Sequence, residues 1–364
     1  MKYDYLIVGA GLFGSVFARE MTNSGASCLV IDRRHHIGGN CHTTNYNGIN
    51  VHDYGPHIFH TSNKQIWDYM NSLVEFNNYV NRPKVKYKNK LYSFPINLMT
   101  LYQLWGVETP LEASKKLEEV KIKIKNPSNL EEWCLSQVGE ELYNTFIYGY
   151  TRKQWGRHPN TLPSFIIKRL PIRLTFDDNY FDDRYQGIPI GGYTQIFKKL
   201  LKNIPVEMGV DYLKDRNKLD DIAKKIVYTG PIDEFFNYDM GTLEWRSLHF
   251  EKEVLSVNDY QGVAIVNHTD FEIPYTRICE HKHFEYGKQD FTVITKEYPQ
   301  TWDTSKEKYY PINDENNNNL YQKYKTRIDN ERYIFGGRLA DYKYYDMHQV
   351  VGSALVRALK EIKK

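Results

Sequence analysis

Three glycines stand in the pattern G-x-G-x-x-G: Gly9, Gly11 and Gly14, with Leu12 and Phe13 between the last two. The apolar run Tyr3–Val8 precedes them, and Ser15–Thr22 reads as a helix after them. In that setting each glycine has a task. The first permits a tight turn, the second lets a pyrophosphate approach the backbone, and the third lets helix and strand pack closely. The helix N-terminus offers unpaired N–H groups and partial positive charge to the same pyrophosphate. Asp32 follows Gly14 by 18 residues, at the end of a second apolar run, Ser27–Ile31. A carboxylate there can accept both ribose hydroxyls of an adenosine. The plainer reading is a glycine turn beside a surface aspartate, but the flanking elements and the spacing favour dinucleotide binding.

Two further stretches favour FAD over NAD. A basic segment, Arg33-Arg34-His35-His36, leads into Gly38-Gly39-Asn40, where backbone must pass close to a cofactor. Near the far end, Ile334-Phe335-Gly336-Gly337-Arg338 precedes Tyr344-Tyr345-Asp346-Met347-His348. That is a second strand–glycine–helix return, which would aim another helix N-terminus at a flavin. Ile226–Gly230 reads as a strand closing over the same cofactor.

Other chemistry-bearing residues lie between these ends. Phe146, Tyr150, Thr151 and Trp155 occupy one short stretch and could stack a nucleobase. The competing reading is a helix packing on its neighbours, and the pattern leaves both open. Arg173 and Arg277 are candidates for clamping a diphosphate through paired, charge-assisted bonds. His57 and His60, and separately His281 and His283, tempt a metal reading. No third ligand at metal-site spacing accompanies either pair, so no metal is expected.

The elements that must position these groups follow from texture. From Leu98 to about residue 165 the sequence looks helical, with Pro127 and Ser128 opening one helix. From about Leu243 to Tyr298, runs such as AIVNHT and FTVITKEY read as strands. The asparagine run Asn316–Asn319 reads as a loop, and the last helix starts near Asp346. The chain has 364 residues, 26% of them charged, and a formal net charge of +3. This suggests more than one packed unit and argues against nucleic acid as a partner. The four cysteines form no C-x-x-C pair, as in a reducing compartment. No apolar run reaches the roughly 18 residues of a membrane span. A cytoplasmic location is expected. The expected fold is α/β, a Rossmann-type FAD-binding domain with an inserted helical domain and an antiparallel β-sheet domain. The FAD domain would comprise residues 1–76, 188–240 and 326–364. The helical domain would span 98–165. The sheet domain would comprise 77–97, 176–187 and 241–325.

Taken together, DYLIVGAGLFG, HHIGGN, YGPHIFHT, GYTRKQWGR, FIIKRLPIRLTFDDNYFDDRYQGIPIGGY, YTGPID, PYTRICEHKHF, KEYP, YYPI and FGGRLADYKYYDMHQV closely resemble the bacterial UDP-galactopyranose mutases. They run in the family's order over nearly the whole chain. The resemblance implies an isomerase that interconverts UDP-galactopyranose and UDP-galactofuranose, usually as a homodimer, with FAD active in its reduced form. It implies a covalent adduct of reduced FAD with the anomeric carbon, an unidentified reductant, and galactofuranose supplied to lipopolysaccharide or capsule. It implies that Phe146, Tyr150, Thr151, Trp155 and Asn267 hold uridine, with Trp155 on a mobile substrate loop that extends the helical domain to about residue 175. Arg173 and Arg277 would neutralise the diphosphate, helped by Tyr180, Tyr310 and Tyr344. His57 and His60 would lie against the flavin, and Asn81, Glu297 and Asp346 would complete the pocket. Asp32, Arg33, Gly39, Asn40, Gly337, Arg338, Tyr344, Asp346 and Met347 would bind FAD. The catalytic set would be Arg173, Arg277, His60 and Tyr344. Two competing readings remain, a flavin oxidoreductase of the amine-oxidase type and a flavin-bearing nucleotide-sugar binding protein without catalysis.

Overall fold

A computed structural model describes residues 2–164 and 171–364. The chain divides into two compact units. The first comprises Met1–Tyr79, Asp183–Trp245 and Tyr310–Lys364, and the second Val80–Asp182 and Arg246–Tyr309.

The first unit is built on a five-stranded sheet. Its order is Tyr333–Phe335, Ala223–Tyr228, Tyr3–Val8, Cys28–Asp32 and Val206–Met208, every pairing parallel. The central strands are near-continuous apolar runs because a parallel sheet is covered on both faces. Leu6, Ile7, Val30, Ile31, Ile226 and Val227 are fully enclosed. Register sets Val8 beside Ile31 on one side and beside Tyr228 on the other, with Phe335 next to Tyr228. Four strands therefore end abreast, and Gly9, Asp32, Thr229 and Gly336 follow them directly. In open α/β sheets that carboxyl edge is where ligands bind. Helix Leu12–Asn23 buries Phe13, Val16, Phe17 and Met21 and packs against the last helix, Met347–Ile362.

The second unit combines helices and a sheet around one core. Its strands lie in the order Trp245–Leu255, Thr292–Thr301, Arg277–Glu280, Ile265–His268, Lys84–Tyr87 and Lys90–Ser93. The pairings are antiparallel except that Ile265–His268 runs parallel to Lys84–Tyr87. Parallel neighbours need a long connection, and here the helices lie in the chain between them. These are Leu98–Trp105, Pro110–Val120 and Leu130–Leu142, each started by a capping side chain, Asn97, Thr109 and Asn129. The helix expected to open at Pro127 and Ser128 thus begins at Leu130. Leu101, Leu117, Leu130, Val138, Leu142 and Phe146 pack with Val85 and Tyr92 of the strands and with Phe94 just beyond them.

One expectation is corrected. Asn316–Asn319 is not a loop but part of helix Glu315–Lys325. Asparagine is a weak helix former, yet Asp314 caps the helix by accepting the Asn317 N–H at 2.9 Å. The Asn317 side chain is buried and accepts the Glu244 N–H at 2.9 Å. Tyr321 and Tyr324 bury the same face. Tertiary anchoring overrides the local preference.

Candidate active site

In the first unit the glycine turn has the shape a dinucleotide needs. Gly9 has φ +114°, and an added Cβ would meet Thr229 Oγ1 at 2.0 Å. At Gly14 a Cβ would sit 2.0 Å from the Gly9 carbonyl, so the third glycine is required by packing. Gly11 differs. A Cβ there would meet only the Gly39 Cα, at 3.9 Å, leaving a cradle over bare backbone. The helix that follows has no side-chain cap and no acid in its first turn, so its N–H groups stay available to an anion. Asp32 accepts the N–H groups of Ala10 at 2.8 Å and Arg34 at 2.9 Å. This fixes the carboxylate at the strand end while its other lone pairs can still meet ribose hydroxyls. Asn40 accepts a bond from Arg34 at 2.9 Å, and Arg33 lies 3.7 Å from Glu234. Phe13 is buried. Its ring lies beneath the Arg357 guanidinium, 5.3 Å away, so Leu12 and Phe13 would serve a ligand through backbone rather than side chain.

The C-terminal return joins the same unit. Arg338 donates to the Tyr345 carbonyl at 2.8 Å and lies over the ring of Tyr344, which is stacked on Tyr310 at 5.3 Å. Asp346 caps the last helix, where Gln349 accepts its N–H at 2.9 Å, and Met347 is the first helical residue. These residues fit the FAD chemistry expected of them: a backbone cradle, a strand-end acid and two helix N-termini.

His57 and His60 lie on neighbouring backbone, yet their surroundings differ. Part of the His57 ring meets solvent, but the protein packed around it pushes its pKa down to about 4. It is neutral at pH 7, with Nδ1 donating to the Gly55 carbonyl at 2.8 Å and Nε2 left as an acceptor. His60 is buried, and its Nδ1 meets Asp183 at 2.5 Å. Ser62 donates to the other oxygen of that carboxylate at 2.7 Å. Burial would raise Asp183, but the bonds from His60 and Ser62 outweigh it and hold the carboxyl below its ordinary value. The His348 ring completes the group, 5.1 Å from His60. Sequence reading missed Asp183. Its only signal is a place in the run Phe181-Asp182-Asp183-Arg184, far from His60 along the chain.

In the second unit the strand register sets three predicted residues side by side. Asn267 pairs with Arg277, and Arg277 pairs with Glu297. Directly opposed residues point to the same face of a sheet. Arg277 donates to the Tyr150 hydroxyl at 2.6 Å, and its Nε lies 3.4 Å from Glu297. Burial pushes Glu297 above its ordinary carboxyl value, while Arg277 pulls the other way. Tyr150, Thr151 and Trp155 belong to helix Gly149–Trp155, which continues the wider turn Tyr143–Tyr148 carrying Phe146. The open choice between base stacking and packing resolves for one residue. Phe146 is a core side chain, buried against Tyr92 at 5.2 Å. Tyr150 and Trp155 stay partly exposed.

Arg173 is engaged elsewhere. It pairs with the Asp182 carboxylate, donates to the Asn179 carbonyl at 2.5 Å, and lies 3.6 Å from Asp177. The structure thus brings it to the acids of residues 177–182. Asn81 is buried, its carbonyl accepting the Tyr180 N–H at 2.8 Å, and Tyr180 packs on Phe94. Residues 165–170 of the expected substrate loop lie outside the described residues.

Among the described residues one group has the donor types of a metal site: Asp259, Glu280 and His283. His283 Nε2 lies 3.4 Å from both carboxylates. The bond to Glu280 holds the histidine above its ordinary value, with burial pulling the other way. His281, read with it in sequence, instead meets Thr295 at 2.8 Å.

Fold and site together define an enzyme of the Rossmann-type dinucleotide class, with FAD as its cofactor. The family model described as UDP-galactopyranose mutase matches residues 145–344, more than half of the chain, and a Rossmann-like NAD(P)-binding model matches residues 7–73. A probable UDP-galactopyranose mutase of Klebsiella pneumoniae is 40% identical, covering 98% of this chain and 94% of its own. A dTDP-fucopyranose mutase of Escherichia coli is 38% identical, with 98% of both chains covered. A crystal structure of reduced UDP-galactopyranose mutase superposes with TM-score 0.77 at 14% identity, covering 100% of this chain and 94% of the other. Putrescine oxidase shares the fold at TM-score 0.62 and 9% identity. The chain belongs to the UDP-galactopyranose mutase family.

Proposed function

We propose that this enzyme interconverts UDP-galactopyranose and UDP-galactofuranose without net oxidation or reduction. The observation that carries the reading is the Asn267–Arg277–Glu297 row with Tyr150 bonded to Arg277. A cation already oriented by a hydroxyl and a carboxylate needs no reorganisation when a diphosphate leaves. Stabilisation of that developing charge is what lowers the barrier. Arg173 would exchange Asp177 and Asp182 for the same diphosphate as the loop beyond Trp155 closes and excludes water. Tyr150, Thr151, Trp155 and Asn267 would hold the uridine, with Phe146 supporting them from the core, and Asn81, Tyr180 and Glu297 would line the sugar side. On the cofactor half, His57 offers an unprotonated Nε2, Asp183 orients His60, the Tyr310 and Tyr344 rings flank Arg338, and Asp346 and Met347 would meet the cofactor from the start of the last helix. Reduced FAD, when bound, supplies an electron-rich N5 able to take the anomeric carbon covalently, which cyanoborohydride trapping and mass detection of a flavin–galactose product would test. Dimerisation, a cellular reductant and delivery of galactofuranose to a surface polysaccharide rest on the family resemblance, and a cytoplasmic location on the absence of any C-x-x-C pair among the four cysteines.

The comparison with the dTDP-fucopyranose mutase supports a second reading, the same ring contraction on a deoxysugar carried by thymidine diphosphate. One experiment addresses both. Purified enzyme, with and without dithionite, is incubated with UDP-galactofuranose or with dTDP-fucofuranose, and the pyranose is quantified by chromatography. Turnover of the uridine substrate only after reduction is expected. Conversion of the thymidine substrate alone transfers the reading to the second sugar. Failure of both under reduction ends both.

A further inference from the structure

Lys153 lies on the helix that carries Tyr150, Thr151 and Trp155, yet it does not face solvent. Its side chain is buried, and its ammonium lies within hydrogen-bond distance of four backbone carbonyls, so that one of its three N–H groups is shared between two of them. The four are His268 at 2.8 Å, Asp270 at 2.7 Å, and Ile273 and Tyr275 at 2.9 Å. His268 ends strand Ile265–His268, and the other three lie in the turn that joins it to strand Arg277–Glu280. Residues 268–276 thus run from directly after Asn267 to directly before Arg277, two residues paired in register. Lysine suits the position because it is a compact charge with three rotatable donors, and bonds from a charged donor are the strong ones.

Other contacts tighten the same joint. A Cβ on Gly149 would stand 2.2 Å from the Thr269 carbonyl, so the helix rests directly on the turn. The Thr269 hydroxyl donates to the Thr145 carbonyl at 2.6 Å, and Arg152 lies over the Phe271 ring at 4.1 Å. From the other side Arg246 donates to the carbonyls of Gln154 at 2.8 Å and Lys153 at 3.2 Å, closing the helix C-terminus.

We infer that Lys153 is a positioning residue for nucleotide binding, holding the helix that bears Tyr150, Thr151 and Trp155 in fixed register with Asn267 and Arg277. It touches none of the reacting atoms. Its effect passes through four carbonyls to the two strand ends, and the 2.6 Å bond from Arg277 to Tyr150 depends on that register. The burial that pushes its ammonium down to about 8 fits an interior fastening rather than a surface charge. The inference rests on the nucleotide-binding role proposed above for these residues.

The test compares wild type with Lys153→Met and Lys153→Arg, each loaded with FAD. UDP affinity is measured by calorimetry, steady-state kinetics on the reduced enzyme, and amide hydrogen exchange over residues 145–156 and 267–277 without ligand. For Lys153→Met we expect UDP affinity to fall about 10-fold or more. KM should rise by the same factor with kcat within about twofold, because interactions shared by ground and transition states move KM alone. Exchange protection should drop in both segments together. Lys153→Arg keeps the charge but presents a planar fork, so it should regain part of the affinity. Should Lys153→Met not yield folded protein, Lys153→Arg carries the test, with a loss of about threefold expected. Unchanged UDP affinity in every folded variant overturns the inference, as does a fall in kcat at constant KM. If wild type itself binds no UDP, the proposed function falls instead, and the exchange data alone judge the fastening: protection unchanged in the variants overturns it.

Discussion

The two units would recognise ligands by opposite means. In the first, the expected cofactor contacts are largely backbone: a glycine turn, helix N-termini and one strand-end acid, each a short local motif although the two ends of the chain supply them. In the second, they are side chains from segments more than 100 residues apart, brought abreast by strand register and tied by buried charges such as Lys153 and Arg246. Backbone recognition leaves a compact sequence signature. Side-chain recognition across a sheet does not, because its geometry exists only after the strands have paired.

The sharpest way to break this comparison is at the glycines. Gly14→Ala places a methyl 2.0 Å from a carbonyl and should destabilise the first unit by more than about 4 kcal/mol. Gly11→Ala has room for its methyl, so its apo-protein should melt as wild type does, yet FAD affinity should fall on the order of 100-fold. Thermal melts and flavin absorbance of the two variants check both. If Gly11→Ala retained FAD as wild type does, the backbone-cradle reading would be wrong.

In the second unit, Arg277→Ala should lower kcat/KM by about 3 kcal/mol, roughly 100-fold, with FAD content unchanged. Steady-state kinetics and flavin quantification would separate this from misfolding. A variant that lost FAD as well would erase the distinction between the units.

Acid should reach both. Burial pushes His57 and His268 down to about 4 and His281 to about 3. An unfolded chain takes up these protons near 6.5, so between roughly pH 6.5 and 4 it binds more protons than the fold. Stability should therefore fall as pH falls through that window, by a few kcal/mol in total. Melting from pH 7 to 4.5 measures the slope. His281→Gln should flatten it, and an unchanged slope would place the acid sensitivity elsewhere.

The smallest expected effect belongs to Tyr150→Phe, which removes one acceptor from Arg277. It should weaken UDP binding by about 1 kcal/mol, roughly fivefold. Calorimetry resolves a change of that size, and no change would mean Arg277 is oriented by Glu297 alone.

Much of this was legible beforehand. The strand Tyr3–Val8, the glycine turn, Asp32 and the C-terminal return follow from apolar runs punctuated by glycine, a local pattern. Trp155 and Tyr150 were visible as a cluster, but which rings face solvent was not, since Phe146 shares their spacing and ends in the core. Lys153 and Arg246 carried no local signal, and Asp183 only its place in a short acidic run. A buried ion or hydrogen-bond partner is defined by what folds around it, and an isolated charged residue in sequence looks like a solvated one. The asparagine helix shows the same limit, for its anchor is the distant Glu244 backbone.

Taken alone, the sequence determined a parallel nucleotide-binding sheet and the residue types available for binding a diphosphate and a base. The tertiary structure decided that Asn267, Arg277 and Glu297 stand in one row, that Asp183 orients His60, and that a buried lysine ties helix to turn. Strand order and register are set by long-range pairing, which brings together atoms whose separation along the chain says nothing of their distance in space.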